Sequence, residues 1–527
     1  MEFQKRVAAI ILLVAMVVGA FALAGCTQKE PLTIDFYTYT NPRPYNPVGD
    51  KLAEAIQQQL QQNLGAVVNI HQFGWTEYKD EILSKGNGQM YLFGWIGDNG
   101  DPDNFLFVHF HSSQIGALNA MGYKNPQVDD LLTQAQKESD PQKRDALYKQ
   151  ADQLIVQDAP WVFISHANDM VATRKNVTGF VLYPTGSIFL QNVDKEVPAG
   201  QQKVLVYARG ADSLSLDPAL IDDGESAKVI ENIYDTLVTF EPGTTKIKPA
   251  LATDWKISDD GLVYTFYLRK GVKFHDGTPF NADAVVASIG RQVGQNATAD
   301  MPYASFTFGD VDKVEKVDDY TVKITLKEPN APFLLNLAMG PAAPIVSPTA
   351  LKKYGADFGH HPVGTGPFIF EKWDPDQQIV LKANPNYWGG KPKVDEVIFK
   401  VTKDNTVRAQ ELLAGSVDII DGIDPADVDS LKNSPDINFL SGPGMNINYL
   451  AFRVDRPPFD NPKVRQAVSM AIDRQAIVDS LYKGIAVVAN GPLPPGMLGY
   501  DPNLKPYEYN PAEAKKLLAE AGYKVPK

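Results

Sequence analysis

The chain contains a single cysteine, Cys26, close to its amino terminus. With one thiol no intramolecular disulfide can form, and no thiolate nucleophile or thiolate metal site is available to the rest of the sequence. The folded part must therefore be held together by packing alone. The chain has 527 residues, of which 44% are hydrophobic, so it can bury large cores, and this length favours roughly two to four domains.

The residues before Cys26 have the pattern of an export signal. Lys5 and Arg6 form a short basic region, and residues 7–24 carry no charged side chain. The small residues directly before the cysteine resemble the lipobox of a bacterial lipoprotein precursor. The alternative is an uncleaved membrane anchor, because about 17 to 25 apolar residues can span a bilayer.

The lipobox resemblance implies how the chain is processed and where it resides. Residues 1–25 are the expected signal peptide, Cys26 the site of lipid attachment, and residues 26–30 a short lipid-anchored tether. The mature protein is then extracytoplasmic and held at the outer face of the cell membrane. The net charge of the full sequence, -13, argues against nucleic acid or an anionic membrane surface as principal partner, because both reward basic patches.

Strand and helix patterns alternate along the mature chain, which predicts an α/β fold. Residues 32–36 alternate like a half-buried strand, and residues 51–64 carry helical apolar spacing. Residues 128–159 predict two helices separated before Pro141, with Asp140 as the cap of the second.

A charged segment with proline and glycine, residues 194–203, divides the mature chain into two blocks. The second block opens with a predicted strand at residues 204–207. It closes with a predicted helix that Asn510 caps, that Pro511 begins and that Gly522 ends.

Several long motifs resemble the family 5 extracellular solute-binding proteins, the peptide and nickel receptors of ABC importers, and most of all the dipeptide receptors among them. Together these motifs extend over essentially all of the mature chain. They are PALATDWKISDDGLVYTFYLRKGVKFHDGTPFNADAVV (249–286), HPVGTGPFIF (361–370), NPNYWGGKP (384–392), PPFDNPKVRQAVSMAIDR (457–474), GWIGDNGDPDNF (94–105) and ATRKNVTGFVLYPTG (172–186).

The resemblance implies a two-lobed periplasmic-binding-protein fold of type II, in the large peptide-binding class, with a hinge and a ligand cleft between the lobes. It implies a monomeric receptor that is not an enzyme, that needs no cofactor, and that passes short peptides to an ABC permease and its ATPase subunits. Closure of the lobes around the ligand would be the mechanism.

The order of the motifs differs from that of the family. Members begin with the stretch that resembles residues 203–523 and finish with the stretch that resembles residues 32–193, so the chain resembles a circular permutation. An artefact of gene assembly is the alternative. The expected divisions are 31–165 and 444–527 for the second lobe, 204–443 for the first lobe, 166–193 for a return segment to the first lobe, and 194–203 for the linker at the junction.

In dipeptide receptors the arginine of the RPYNP motif binds the peptide carboxylate, and the first aspartate of the GDNGDPDNF motif binds the ammonium. These positions are Arg43 and Asp98 in this chain. An arginine fork suits a carboxylate, and an aspartate suits an ammonium. Two prolines flank Arg43 and stiffen the backbone that presents it. For Asp98 a turn-forming role in a polar loop is the alternative.

Tyr45, Trp75 and Trp95 are expected to line the cleft, as apolar walls with one polar handle each. A plain core role is the alternative for each of them. Asp101 and Asp103 are expected to shape their loop. No metal site is expected: the acidic loop lacks EF-hand spacing, and His109 and His111 read as neighbours on a strand.

Two competing functions stay open. An exported hydrolase is disfavoured, because the chain has no G-x-S-x-G elbow, no H-E-x-x-H motif and no second cysteine. Within the receptor class, relatives carry nickel chelates, haem, opines, glutathione and longer oligopeptides. The pairing of Arg43 with Asp98 favours a short zwitterionic peptide.

Overall fold

The computed structural model describes residues 29–40 and 43–526. The predicted signal peptide and Cys26 lie outside these residues. Within them, no helix is both long enough and apolar enough to span a bilayer.

The strands follow one another along the whole described chain. In chain order they are β1 (Thr33–Tyr39), β2 (Val67–Phe73), β3 (Met90–Ile96), β4 (Trp161–Arg174), β5 (Val177–Thr178), β6 (Asp194–Lys195), β7 (Val204–Arg209), β8 (Val238–Phe240), β9 (Ile247–Pro249), β10 (Ala252–Ile257), β11 (Val263–Leu268), β12 (Val311–Asp318), β13 (Thr321–Leu326), β14 (Phe368–Asp374), β15 (Gln378–Ala383), β16 (Glu396–Val401), β17 (Ile419–Ile420), β18 (Ile437–Pro443), β19 (Asn446–Phe452) and β20 (Ala486–Val488).

The α-helices lie between the strands. They are α1 (Gly49–Leu64), α2 (Trp75–Lys79), α3 (Asp103–Phe110), α4 (Pro126–Lys137), α5 (Pro141–Asp158), α6 (Gly224–Ile233), α7 (Ala282–Gly290), α8 (Ala304–Phe308), α9 (Phe333–Asn336), α10 (Pro348–Tyr354), α11 (Asn405–Ala414), α12 (Val428–Asn433), α13 (Pro462–Met470), α14 (Arg474–Tyr482) and α15 (Pro511–Glu520).

The local predictions from sequence are confirmed for these elements. The strand at residues 32–36 is β1, the helix at 51–64 is α1, and the strand at 204–207 is β7. Asp140 accepts hydrogen bonds from the backbone N–H groups of Gln142 and Lys143, which caps α5 after the predicted break. The Asn510 side chain likewise accepts from the Glu513 N–H and caps α15.

One local prediction is wrong. His109 and His111 are not strand neighbours, because residues 103–110 form α3 and His111 follows the end of that helix. Nearly every side chain of α3 is buried, so its sequence lacks the one-sided apolar spacing that marks a surface helix.

A 12-stranded mixed sheet runs through the molecule in the order β14-β15-β16-β7-β17-β4-β19-β3-β1-β2, with β18 and β20 also paired to β4. A separate four-stranded antiparallel sheet has the order β10-β11-β13-β12. β4 lies in the middle of this order and pairs with β17 on one side and with β19 on the other, so it joins the two parts of the fold.

The buried apolar side chains form separate cores on either side of β4. The core of the second lobe combines residues 32–164 with residues 445–518, and the first lobe holds cores within residues 171–419. A smaller cluster, which includes Ala172, Val428 and Tyr482, lies where the two parts meet. This arrangement is the two-lobed α/β fold that the sequence predicts.

The partners of β4 change in the middle of its 14 residues. Residues 161–165 pair with β19, whereas residues 168–174 pair with β18. Asn446, at the start of β19, makes two hydrogen bonds with the backbone of Ala167. Its Oδ1 accepts from the Ala167 N–H at 2.7 Å, and its Nδ2 donates to the Ala167 carbonyl at 2.9 Å. The chain therefore passes between the lobes twice at this point, once within β4 and once between β18 and β19.

The two ends of the described chain lie side by side. The Lys524 N–H donates to the Glu30 carbonyl at 2.9 Å, and Pro31 forms a parallel bridge with Lys524. The segment after Gly522 therefore lies beside the residues that lead into β1. In the segment 194–203, Lys203 Nζ lies 2.6 Å from Asp194 Oδ1, so the two ends of this segment lie close together.

Candidate functional site

The predicted site residues follow three neighbouring parallel strands. β1 pairs in parallel with both β2 and β3. Arg43 follows β1, Trp75 follows β2 and Asp98 follows β3, so all three emerge at the carboxyl edge of the sheet. Open α/β sheets bind their ligands at this edge.

Arg43 sits at the base of a tight backbone reversal. Its N–H donates to the Asn46 carbonyl at 3.0 Å, and the Asn46 N–H donates back to the Arg43 carbonyl at 2.9 Å. The Arg43 Cζ atom lies 4.1 Å from the centre of the Trp75 ring, which is a cation–π contact. Arg43 Nε is buried and has no hydrogen-bond partner among residues 29–40 and 43–526.

Tyr45 is buried beside Arg43 and packs on the backbone of β3. A Cβ atom at Gly94 would lie only 2.2 Å from the Tyr45 ring, so this close approach requires glycine. Burial raises the pKa of Tyr45 to about 12, although the positive charge of Arg43 opposes the shift. Tyr45 is therefore neutral, and the charge of this group of side chains is that of Arg43.

Asp98 faces residues of the opposite lobe. Tyr303 donates a hydrogen bond to Asp98 Oδ1 at 2.8 Å. Burial raises the pKa of the Asp98 carboxyl to about 6, and the nearby Asp222 adds to the shift, whereas the hydrogen bonds that the carboxylate accepts from the side chains of Tyr303 and Asn104 oppose it.

Trp95 is joined to Asp98 through Asn104. The Asn104 side-chain oxygen accepts from Trp95 Nε1 at 3.0 Å and from the Asp98 N–H at 3.0 Å. The structure thus forms two groups, one of Arg43 with Tyr45 and Trp75 and one of Asp98 with Trp95. These groups follow adjacent strands.

A buried ion pair anchors the loop that carries Asp98. Asp101, which is 1% exposed, accepts from both terminal nitrogens of Arg144 at 2.9 Å, and Tyr148 accepts a third bond from the same guanidinium at 2.8 Å. Asp101 also accepts from the Asp103 N–H at 2.9 Å. Its role is to shape the loop, as the sequence predicts.

Asp103 is buried at the start of α3. Burial raises its pKa to about 7, and the charge of Asp101 adds to this shift. One of its oxygens accepts from Gln136 at 3.3 Å.

The two lobes touch each other around Asp98. Asn99 Nδ2 donates to Asn336 Oδ1 at 2.7 Å, and the Ala331 N–H donates to the Gln136 carbonyl at 2.8 Å. Lys137 and Glu328 form an ion pair at 2.8 Å. The lobes are therefore closed over this part of the cleft.

Sequence reasoning missed Asn104, Tyr303 and Arg144. Tyr303 and Arg144 lie far along the chain from Asp98, and nothing in their local sequence signals the contact. Asn104 lies inside the recognised GDNGDPDNF motif, so its amide was the one signal that could have been read as a support for Asp98. No group of three or more histidine, cysteine, aspartate or glutamate side chains is placed to hold a metal ion in the described part of the chain.

The sequence matches the model of a known protein family. The model described as "Bacterial extracellular solute-binding proteins, family 5 Middle" matches residues 21–117 and 246–527. The chain belongs to this family. Members of this family are extracellular solute-binding proteins.

Named relatives cover part of the chain. Heme-binding protein A of Haemophilus influenzae is 41% identical over 356 residues, which are 62% of this chain and 63% of that protein. The dipeptide-binding protein of Escherichia coli is 38% identical over 342 residues, 61% of this chain and 64% of that protein. The solute-binding protein thus spans less than two thirds of the length of these curated relatives.

A solved structure supports the two-lobed fold. It is a dipeptide-binding protein of a Pseudoalteromonas species in complex with Met-Leu, with a TM-score of 0.55 and 34% identity. The match covers 61% of this chain and 67% of that one.

Proposed function

We propose that this protein is the extracytoplasmic receptor of an ABC importer, that it captures short peptides, chiefly dipeptides, between its lobes, and that it delivers them to the permease. One observation carries the proposal. A stacked guanidinium and a buried carboxylate emerge from adjacent parallel strands at the edge of a sheet, which suits a ligand with opposite charges at its two ends.

Each site residue then has a distinct role. Arg43 binds the peptide carboxylate with its planar fork, and its Cζ atom lies over the Trp75 ring. Asp98 accepts the ammonium group. Tyr45, Trp75 and Trp95 supply rigid walls, and side-chain pockets between them leave the peptide sequence variable.

The size of the ligand sets a distance. An extended dipeptide spans roughly 6 to 7 Å between its charged ends, and a hydrogen bond at each end adds about 3 Å. We expect the Arg43 guanidinium and the Asp98 carboxylate to lie about 10 to 14 Å apart in the liganded protein. A separation above about 20 Å in a closed, liganded crystal structure would contradict a dipeptide clamp.

The permuted order and the lipid anchor belong to the same proposal. The adjacent ends at Glu30 and Lys524 and the short loop between Asp194 and Lys203 support a circular permutation. The proposed lobes are residues 166–443 and residues 31–165 with 444–527, and the crossing of β4 with β18 and β19 is the proposed hinge. Lipidation at Cys26 would hold the receptor at the membrane beside its permease.

The copurifying ligand is the most direct test. We expect native mass spectrometry of the purified protein to release a mixture of dipeptide masses. A single nickel chelate, haem, glutathione, an opine or a longer oligopeptide would instead assign the receptor to that solute. Incubation with dipeptides should leave them intact, and the appearance of free amino acids would support the hydrolase.

The affinity for a dipeptide should fall as the pH falls below about 6. Without ligand Asp98 has a pKa of about 6. A bound ammonium favours the carboxylate and lowers this pKa, so binding below pH 6 must first remove a proton. We expect up to about a tenfold loss of affinity per pH unit, measured by isothermal titration calorimetry between pH 5 and pH 7.

Two variants show whether Asp98 or Asp103 causes the pH dependence of binding. Asp98→Asn should bind weakly with little dependence on pH. Asp103→Asn should keep the dependence, although Asp103 titrates in a similar range. An undiminished slope in Asp98→Asn would contradict the role of Asp98.

A further inference from the structure

The turn that carries Arg43 is closed by Asn46, whose side-chain amide is buried. Asn46, which is 0% exposed, makes both backbone hydrogen bonds of the reversal with Arg43. Its side chain lies between two phenols: Nδ2 donates to the Tyr39 hydroxyl at 3.0 Å, and Oδ1 accepts from the Tyr482 hydroxyl at 2.8 Å. The position of Arg43 therefore depends on how this amide is oriented.

Tyr482 comes from a distant part of the chain. It is the last residue of α14 and is 0% exposed. Its hydroxyl also accepts from Asn448 Nδ2 at 2.9 Å. Asn448 lies on β19 and pairs with Gly94 on one side and with Ser165 of β4 on the other. A chain of hydrogen bonds thus runs from the crossing strands to Arg43.

Packing reinforces this connection. Tyr482 belongs to the apolar cluster that lies between the lobes, together with Ala172 of β4 and Ala486 of β20. β20 pairs with residues 165–167, where the partners of β4 change. The tyrosine ring is therefore fixed by the elements that would move when the lobes open.

The geometry points to Tyr482 as a positioning residue for Arg43: through Asn46 it holds the guanidinium in line with a ligand carboxylate and links that group to the crossing strands. This inference rests on the proposed function, in which Arg43 binds the carboxylate. Loss of the hydroxyl would leave Asn46 Oδ1 buried without its donor and free the amide to turn. The recognition of a charged carboxyl end should weaken in consequence.

The test compares a dipeptide with its amide, which lacks the carboxylate. In Tyr482→Phe we expect the Kd for Ala-Phe to rise about 5- to 150-fold, the range that one unsatisfied buried hydrogen-bonding group implies, and the Kd for Ala-Phe amide to change less than about twofold. The preference for the free acid should fall accordingly. A variant that only loosened the fold would weaken both ligands alike and keep the ratio.

Tyr234→Phe is the matched control. Tyr234 is also buried, and its hydroxyl donates to the Leu216 carbonyl at 2.9 Å within the first lobe. Tyr234→Phe also removes one phenol hydroxyl, but at a position far from Arg43. The ratio of the Kd for the amide to the Kd for the free acid should therefore stay at its original value. If Tyr482→Phe does not fold, Asn448→Ser removes the outer donor instead and should lower the ratio to a smaller extent.

The outcomes separate the two proposals. If Arg43→Ala keeps the preference for the free acid, Arg43 does not bind the carboxylate and the proposed ligand geometry is wrong. If Arg43→Ala abolishes the preference while folded Tyr482→Phe, or folded Asn448→Ser in its place, retains it, the positioning role alone is overturned.

Discussion

Replacement of Arg43 by alanine is expected to weaken the binding of a free dipeptide by about 30-fold to several thousand-fold. This range corresponds to about 2 to 5 kcal/mol, the usual loss when one partner of a desolvated, hydrogen-bonded charge pair is removed. The side chain lies over the Trp75 ring at 4.1 Å and its backbone begins a two-residue reversal, so little conformational entropy remains to be lost when a carboxylate binds. Isothermal titration calorimetry with a dipeptide of defined sequence measures the effect.

The chain offers a matched control for this experiment. Arg269 also stacks on a tryptophan, with its Cζ atom 4.4 Å from the Trp388 ring, but it lies in the first lobe. Arg269→Ala should change the Kd less than about twofold. Arg43→Lys keeps the charge and loses the planar fork, so an intermediate affinity is expected. Unchanged binding in Arg43→Ala would exclude this arginine from the site.

Replacement of Arg144 by methionine is expected to destabilise the protein by about 3 to 5 kcal/mol, because it leaves the Asp101 carboxylate buried without its counterion. Asp101 is 1% exposed and takes both of its charged hydrogen bonds from Arg144. Urea unfolding followed by tryptophan fluorescence measures the change.

Two further variants test the cause of this loss. Asp101→Asn combined with Arg144→Met removes the isolated charge and should recover part of the stability. Arg456→Met breaks a pair with Asp455 in which both side chains are more than 40% exposed, and it should cost less than about 1 kcal/mol. Equal losses in Arg144→Met and Arg456→Met would contradict a buried pair.

The elements that sequence predicted well are those with local causes. The break before α5 was predictable because Asp140 and Pro141 act on the backbone directly beside them. The strand β1 was predictable because its side chains alternate between the core and the surface. The two-lobed fold and the candidates Arg43 and Asp98 came from long motifs shared with a family, and the family is confirmed.

What could not be predicted depends on distant contacts. Tyr303 reaches Asp98 from 205 residues away, and Tyr482 reaches Asn46 from 436 residues away. No periodicity links such positions. The helix α3 was misread for a related reason: it is enclosed on nearly all sides, so its apolar residues show no single face and two histidines two residues apart looked like a strand.

The adjacent chain ends have a consequence for the order in which the molecule is built. The core of the second lobe needs residues 32–164 together with residues 445–518. A ribosome makes the first of these segments before the residues that separate them and the second after those residues, so this lobe cannot complete its core until residues 445–518 have been made. The cores within residues 171–419 come from one continuous stretch of chain and can form earlier. For a chain expected to cross a membrane before it folds, such late completion keeps residues 32–164 without their full core, and so still able to cross unfolded, until residues 445–518 have been made.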